Sequence, residues 1–319
     1  MDTKLDIKKH ATKSHFYWGV STKEEISNFI ELSRKKGFFN AIKEEKFDVF
    51  KKYALPDDRA NFIDYLPINK NSSVLDLGSG YGNITIPIAK KVKEVYACDG
   101  TFELLEFSRE RAIAENISNI HFIHIDPVDY CNTPFKNGMF DVIILNGVFE
   151  WIGTEDTSKS PREIQLKVLE YLSSLLKDDG FIYIGIENRW WPMYLWNTPD
   201  PHSKKMYTAI LPRFLSDLVM RFYGQKNGYR NYIYSFWGYK KLFKSANFDI
   251  KNLFFPLKSY RNPKYMLNSK DREGLRDLVN NKFHNIFHWK VVLMLGFFYY
   301  LGLFKYITHS YGFILTKFK

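Results

Sequence analysis

The sequence predicts an α/β protein built on a doubly wound, mostly parallel sheet. Between residues 71 and 188, short apolar runs alternate with amphipathic segments, which is typical of right-handed βαβ units. A glycine-rich loop follows the first run, and an acidic residue ends each of the next two. These observations predict a seven-stranded sheet whose last strand is antiparallel, with N-terminal helices and an aromatic-rich insertion that forms a cap.

The elements follow in chain order. Residues 1–70 read as a helical cap, because Ser21 and Thr22 with Glu24 and Glu25 offer overlapping capping boxes before a helically spaced apolar pattern. Helices are predicted over 83–91, 101–115, 161–176 and 238–248. The predicted strands are Val74–Leu77, Val92–Cys98, Ile120–Ile125, Phe140–Leu145, Phe181–Ile186, Phe248–Phe255 and Gly312–Phe318. Residues 71–190 form the predicted cofactor-binding core. Residues 191–319 add an acceptor-binding lid, the last strands and a helical insertion over 267–305, all within the same domain.

Composition limits the functional classes. The chain has 319 residues, a formal charge of +11 and two cysteines without a CxxC pattern, so neither a disulfide framework nor a metal site is predicted. The charge favours an anionic partner or reflects a lysine-rich genome. The N-terminus lacks the apolar region of a signal peptide, which favours a cytoplasmic protein. The apolar segment 291–304 is shorter than the roughly 18 residues of a membrane span. It predicts a buried helix or a peripheral membrane contact.

The stretch SSVLDLGSGYGN (72–83) combines an acid inside a predicted strand with three alternating glycines. Ligands of doubly wound sheets bind at the carboxyl ends of the strands, where glycine allows the backbone to approach a ligand closely. The GxGxG spacing differs from the GxGxxG of dinucleotide-binding loops. A carboxylate at Asp76 disfavours a pyrophosphate and favours a ligand with an ammonium or sulfonium group.

The motif from Asp76 to Gly82 resembles the first motif of class I S-adenosylmethionine-dependent methyltransferases, a family with a Rossmann-like fold. The resemblance covers about residues 70–190 and implies that S-adenosylmethionine is the cofactor. It places Asp99 at the ribose hydroxyls, Asp126 at the adenine amino group and Asn146 near the transferred methyl group. The implied cofactor-binding residues are Asp76, Gly78, Ser79, Gly80, Gly82, Asp99, Gly100, Asp126 and Asn146.

The acceptor side is expected after the fifth strand, in the segment GIENRWWPMYLWNTPDPHSKK. Its tryptophans form either an acceptor surface or a packed lid. Asp200 and His202 lie between prolines in a turn, and a hydroxyl acceptor needs a base that removes its proton. His202 is therefore the predicted base, assisted by Asp200 or Glu150, with Glu150 as an alternative base. The segments IENR, DPH and 229–263 resemble a branch found in surface-glycan and secondary-metabolite gene clusters.

Three functions are open from the sequence. The first is O-methylation of a carbohydrate, glycoconjugate or other small molecule. The second is RNA methylation, which the positive charge and the aromatic residues favour, although the lysines are scattered and no RNA-binding domain is evident. The third is a non-catalytic cofactor-binding scaffold, which an intact glycine motif disfavours.

Overall fold

A computed structural model describes residues 5–11, 15, 21–196, 198–282 and 289–318. The chain forms two compact units. The first contains Met1–Leu145 and Ser174–Phe181, and the second contains Asn146–Ser173 and Ile182–Lys319.

The described residues contain two strands more than predicted. The strands are β1 (Ile7–Lys9), β2 (Ser73–Leu77), β3 (Glu94–Asp99), β4 (Ile120–His124), β5 (Phe140–Asn146), β6 (Leu176–Glu187), β7 (Phe248–Leu257), β8 (Tyr265–Asn268) and β9 (Ser310–Lys317). All seven predicted strands are present, but the predicted total of seven is wrong because β1 and β8 were missed. Both are short and partly exposed, so they lack the apolar run by which the other strands are recognised.

Eleven α-helices lie within the described residues. They are α1 (Lys23–Lys36), α2 (Phe38–Ala41), α3 (Asp48–Tyr53), α4 (Thr85–Ala89), α5 (Phe102–Ala114), α6 (Pro161–Leu175), α7 (Arg213–Phe222), α8 (Phe236–Ser245), α9 (Arg272–Asp277), α10 (Trp289–Tyr300) and α11 (Phe304–Ile307). The predicted helices at α5 and α6 are confirmed within one residue at either end. The helix predicted over 238–248 ends at Ser245, because Phe248 already begins β7.

The first unit arranges its strands in the order β1-β4-β3-β2-β5. Its pairs are parallel, with Asp76 opposite Ala97 of β3 and Ile144 of β5. Parallel pairing confirms the predicted βαβ organisation and brings the carboxyl ends of these strands to one edge. The loops after β2, β3 and β4 therefore emerge at the same edge.

The N-terminal helices pack behind the glycine-rich loop. α1 begins with the predicted capping box, in which Thr22 and Glu25 each accept the backbone N–H of the other. Its buried face joins an aromatic cluster that includes Phe29 and Phe107. Tyr81 of the loop enters this cluster, with its ring centroid 5.2 Å from that of Phe107. The loop is thus held from one side by aromatic packing.

The second unit orders its strands β6-β9-β7-β8, and β6 begins in the first unit. β9 is antiparallel to β7, as predicted for the last strand, and β8 is antiparallel to β7 as well. In the apolar segment 291–304, α10 ends at Tyr300, Gly302 adopts a positive φ of 70°, and α11 begins at Phe304. In the described part of the chain, every helix is too short or too polar to cross a bilayer.

Candidate active site

Two polar sites stand out, one in each unit. The first is the loop after β2. Gly78, Gly80 and Gly82 adopt positive φ values of 76°, 53° and 81°, a region that favours glycine. The backbone N–H groups of Gly78 and Ser79 both donate to the carbonyl of Cys98, at 2.7 and 3.0 Å. The loop therefore has a fixed shape before any ligand arrives.

The glycines of this loop serve different purposes. A Cβ at Gly82 would lie 2.2 Å from Oγ of Ser108, so Gly82 allows the loop to pack closely on α5. A Cβ at Gly80 would meet no described atom within 4 Å. The buried Oγ of Ser79 has no hydrogen-bond partner among the described residues. Gly80 and Ser79 thus border space that no described residue fills, with an unused polar group, as a ligand-binding loop requires.

Asp76 is a buried carboxylate beside this loop. It accepts a hydrogen bond of 2.6 Å from Oγ1 of Thr85. Burial raises the pKa of Asp76 to about 6, against the opposing effects of the Thr85 hydrogen bond and the positive charge of Arg59. A cationic ligand nearby would stabilise the charged form of Asp76. The carboxylate therefore fits a ligand that carries an ammonium or sulfonium group.

Asp99, the last residue of β3, has a structural contact that sequence reasoning missed. One carboxylate oxygen accepts the N–H of Gly80 and the other accepts the N–H of Thr101, both at 2.8 Å. Burial raises the pKa of Asp99, while these backbone hydrogen bonds oppose the rise. The N–H of Gly100 and the Thr101 side chain also contribute hydrogen bonds to this carboxylate. Asp99 therefore holds the glycine-rich loop and the loop after β3 together.

The next two predicted residues lie at the neighbouring strand ends. A Cβ at Gly100 would lie 2.8 Å from the Pro127 ring, so Gly100 allows the loops after β3 and β4 to meet. The Asp126 side chain is partly exposed and accepts the N–H of Val128 at 2.9 Å. Asp126 thus closes a turn, and the same oxygen, Oδ1, lies 3.7 Å from Nε2 of His15.

Asn146 belongs to the second unit and is surrounded by protein. Its Oδ1 lies where a Cβ of residue 185 would be, so Gly185 makes room for the side chain. Its Nδ2 donates to the carbonyl of Tyr260 at 3.4 Å. These contacts place Asn146 against β6 and the segment after β7.

The second site is a buried cluster of acids around His202. The side chain of His202 is fully buried, with Nε2 3.5 Å from Oε1 of Glu150 and 4.0 Å from Oε2 of Glu187. Its Nδ1 lies 3.4 Å from Oδ1 of Asp200. The structure thus brings the predicted residues His202, Asp200 and Glu150 together and adds Glu187, the last residue of β6.

Asp200 is buried, contrary to the expectation of a pair presented by an exposed turn. It accepts the backbone N–H of His202 at 2.8 Å, the hydroxyl of Tyr229 at 2.7 Å and that of Thr208 at 3.1 Å. Burial would raise the pKa of Asp200, but His202 and Tyr229 hold it below its usual value. Asp200 is therefore a satisfied carboxylate that orients the imidazole.

Tyr260 and Arg261 complete the cluster, and sequence reasoning missed both. The Tyr260 hydroxyl lies 3.2 Å from Oε1 of Glu150 and 3.0 Å from Oε1 of Glu187. Arg261 donates to the same oxygen of Glu187 at 3.2 Å. In the sequence, these two residues are recognisable as a Tyr-Arg pair shortly after the apolar run of β7. This pattern is a weak indication of a functional site because many strands end in polar residues.

The charge state of His202 follows from its neighbours. Burial lowers the pKa of His202, but the negative charges of Glu187 and Glu150 and the contact with Asp200 outweigh it and raise the pKa to about 10. Both ring nitrogens of His202 face carboxylate oxygens, whereas one buried oxygen each of Glu150 and Glu187 accepts no hydrogen bond within the described ranges. Buried polar atoms without partners are costly. These two oxygens can accept hydrogen bonds from a polar ligand.

The same cluster has the spacing of a metal site. Ligand atoms of Glu150, Glu187 and His202 lie within 4.8 Å of one another. Arg261 lies 3.2 Å from Oε1 of Glu187 and adds a positive charge to this group. The cluster therefore has the donor set of a metal site, which the sequence did not predict, and also the acids and imidazole that a proton transfer needs.

The aromatic segment after β6 is partly a packed lid and partly a surface. Trp191 and Tyr194 are buried, whereas Trp190 and Trp196 are exposed. Trp151, from the turn after β5, packs edge-to-face on His202 with ring centroids 5.4 Å apart. An aromatic wall therefore borders the acid cluster.

Comparison with known proteins identifies the domain. A family model described as "Methyltransferase domain" matches residues 74–178. This match shows that the chain carries a methyltransferase domain with S-adenosylmethionine as its cofactor. The sequence predictions of a methyltransferase and of this cofactor are therefore confirmed.

The curated relatives match a limited part of the chain. It is 34% identical over 85 residues to the 23S rRNA (uracil(1939)-C(5))-methyltransferase RlmD of Haemophilus influenzae (strain 86-028NP), covering 26% of this chain and 19% of that protein. It is 30% identical over 128 residues to the protein of the same name from Stenotrophomonas maltophilia (strain K279a), covering 39% and 28%. The chain therefore spans less than a third of the length of these relatives.

Solved structures are similar at a greater distance. A SAM dependent methyltransferase from Aquifex aeolicus aligns at 15% identity and a TM-score of 0.44, covering 73% of this chain and 92% of that one. The MccD protein aligns at 15% identity and a TM-score of 0.47, covering 82% and 96%.

Proposed function

We propose that the protein transfers the methyl group of S-adenosylmethionine to a hydroxyl of a carbohydrate, glycoconjugate or other small molecule. The observation that carries the proposal is the buried acid and imidazole cluster around His202. When bound, the cofactor supplies a methyl group on a sulfonium, and attack by the acceptor oxygen breaks the carbon–sulfur bond and leaves a neutral thioether.

The loop of the first unit would hold this cofactor. Asp76 supplies a negative charge, and Gly80 leaves space beside the backbone. Asp99 ends β3 beside this loop, where the sequence resemblance places the acid that binds the ribose hydroxyls. Asp126 follows β4 with a partly exposed carboxylate, and the sequence resemblance places it at the adenine amino group. Chemistry and space at the loop thus agree with the cofactor.

The cluster of the second unit would take up the acceptor proton. Asp200 faces Nδ1 of His202, so Nε2 faces Glu150 and Glu187 and is the proposed proton acceptor. Three carboxylates stabilise the resulting imidazolium. Because they raise the pKa of His202 to about 10, the neutral base is a minor form at neutral pH. Turnover should therefore keep rising at pH values well above 7. An ordinary histidine base would instead bring turnover to its plateau near neutral pH.

Glu150 is the alternative base, and the pH profile separates the two roles. If His202 is the base, Glu150→Gln removes a negative charge that raises the pKa of His202. Turnover should then persist, and its rise with pH should move to lower pH. If Glu150 itself accepts the proton, the same variant loses about a hundred- to ten-thousand-fold in turnover. Addition of a chelator to both proteins checks that a metal ion does not produce the rise with pH.

A polyol or sugar acceptor suits this environment. Carboxylates and Arg261 offer acceptors and donors for hydroxyl groups, and Trp151 lies against His202. Binding sites combine a few fixed polar groups with aromatic walls in this way. The resemblance of the IENR and DPH segments to a glycan-cluster branch supports the same class.

RNA is the second candidate, because the relatives at 34% and 30% identity are named as 23S rRNA methyltransferases. Methylation at C5 of a pyrimidine requires a nucleophile that adds to the ring. Cys98 is buried, and burial raises the pKa of its thiol well above the usual value. Cys131 lies in a polar turn after β4. The thiols therefore favour hydroxyl methylation over the C5 chemistry of the relatives.

Methyl transfer from labelled cofactor tests the proposal. Purified protein is incubated with sugar nucleotides, lipid-linked glycans and total RNA, beside His202→Ala and a surface control, His121→Gln. We expect label in a carbohydrate fraction, stable to ribonuclease and reduced only by His202→Ala. Label in RNA that ribonuclease releases would replace the carbohydrate proposal with the RNA alternative.

A further inference from the structure

The second unit carries an apolar helix face that is mostly exposed. On α7, Phe214, Leu218 and Phe222 recur every four residues and are 65%, 60% and 86% exposed. Surface helices normally turn such a stripe inward. The inward face of α7 is instead fixed by buried Met220, by Ser216 donating to the carbonyl of Thr208 and by Asp217 accepting the N–H of Tyr229.

A groove of about 810 Å³ lies beside this stripe. Its lining includes Lys204, Lys205 and Tyr223 together with Leu218 and Phe222. The ammonium of Lys205 lies 3.8 Å from the centroid of the Tyr223 ring. Aromatic rings and lysine side chains thus meet at the edge of the apolar stripe, an arrangement common where proteins meet lipid headgroups.

The surroundings of α7 are strongly basic. Residues 201–230 contain the single acid Asp217, which faces inward, against Lys204, Lys205, Arg213, Arg221, Lys226 and Arg230. Of these, Lys204, Arg221 and Lys226 are exposed. Contact with an anionic surface would therefore bury apolar side chains and bring basic side chains close to negative charge, and both effects favour binding.

A second helix of the same unit has the same character. On α10, Val292 and Leu295 are buried, whereas Leu293, Phe297 and Tyr300 are more than half exposed. Lysines stand at positions 290 and 305, and the sequence from 289 to 310 contains no acidic residue. With 12 residues, α10 is about 18 Å long, so it suits a helix lying in the plane of a membrane surface.

We propose that the second unit binds an anionic membrane surface through α7 and α10, with their exposed aromatic and aliphatic side chains in the headgroup region. Anionic lipid is favoured over a second copy of the chain. A symmetric dimer contact would set the same lysines and arginines against each other. This inference does not depend on the acceptor proposed above.

Vesicle sedimentation of the full chain tests the proposal. We expect binding to vesicles of phosphatidylcholine with one-third phosphatidylglycerol, weak binding to phosphatidylcholine alone, and loss of binding in high salt. The pair Phe214→Ser and Phe222→Ser should weaken binding at least tenfold, as should Leu293→Ser with Phe297→Ser. Phe39→Ser is the control, because Phe39 is an exposed aromatic of the first unit.

Three results decide the outcome. Thermal melting first confirms that each paired variant is folded. The pair Arg221→Gln and Lys226→Gln should weaken binding to anionic vesicles only. The proposal would be overturned if the native protein does not bind anionic vesicles at low salt, or if the paired variants bind as well as Phe39→Ser does. A native dimer that the paired variants dissociate, without vesicle binding, would assign the face to a second copy.

Discussion

The glycine-rich loop and the His202 cluster are built in opposite ways. The loop is a short continuous stretch, Asp76 to Gly82, whose backbone N–H groups donate to Cys98 and Asp99 of the neighbouring strand β3. The cluster gathers Glu150, Glu187, His202 and Tyr260 from separate parts of the second unit. A contiguous backbone site tolerates changes that leave its glycines intact, whereas an assembled side-chain site depends on the packing of the whole unit.

The largest expected effect comes from closing the space at the loop. Gly80→Val should lower the affinity for S-adenosylmethionine below detection, because the new side chain would fill the space left open beside Gly80. Gly138→Val is the control: Gly138 also has a positive φ, 66°, and a Cβ there would meet no described atom within 4 Å. Equal loss of cofactor binding in both variants, measured by calorimetry, would attribute the effect to backbone strain.

The cluster should show a large effect on turnover and none on cofactor binding. His202→Ala removes the proposed proton acceptor, and we expect turnover to fall by about a hundred- to ten-thousand-fold. His202→Gln should fall similarly, because the amide keeps the volume but cannot act as the base. Near-normal turnover in either variant, in single-turnover assays with saturating cofactor, would move the base to Glu150 or Glu187.

A smaller effect is expected from the titration of Asp76. Its pKa is raised to about 6 by burial, so the carboxyl is mostly neutral at pH 5 and charged at pH 7. Affinity for a ligand with an ammonium group should therefore rise with pH, by up to about tenfold for each unit below 6. Asp76→Asn should flatten this dependence for S-adenosylmethionine and its demethylated product alike. A native affinity independent of pH between 5 and 7 would contradict the role of Asp76.

The smallest effect concerns stability. The pKa of His202 is raised from 6.5 to about 10, so its stabilising contribution is complete below pH 6.5 and is lost as the pH rises through 10. The melting temperatures of native protein and His202→Gln should therefore converge between pH 7 and pH 10. His121→Gln should follow the native curve, and a constant gap for His202→Gln would argue against a charged His202.

The predictability of each site follows from its construction. Residues 72–83 predicted strand, loop and close backbone approach, because strand ends and glycine conformations are local properties. The double role of Asp99 was missed, since its bond to the N–H of Gly80 depends on a register between neighbouring strands. Burial of the Asp200 and His202 pair was missed because Tyr229 and Thr208, distant or weak signals in sequence, supply its partners.

Calorimetry of Asp99→Ala and His202→Ala side by side tests the central claim most directly, namely a division of roles in which the glycine-rich loop binds the cofactor and the His202 cluster does not. S-adenosylhomocysteine serves as the ligand, because it keeps the ribose diol and does not react. The division predicts at least tenfold weaker binding for Asp99→Ala, through the lost diol contact and the freed N–H of Gly80, and unchanged binding for His202→Ala. Native affinity in Asp99→Ala, or equal weakening in both variants, would contradict it.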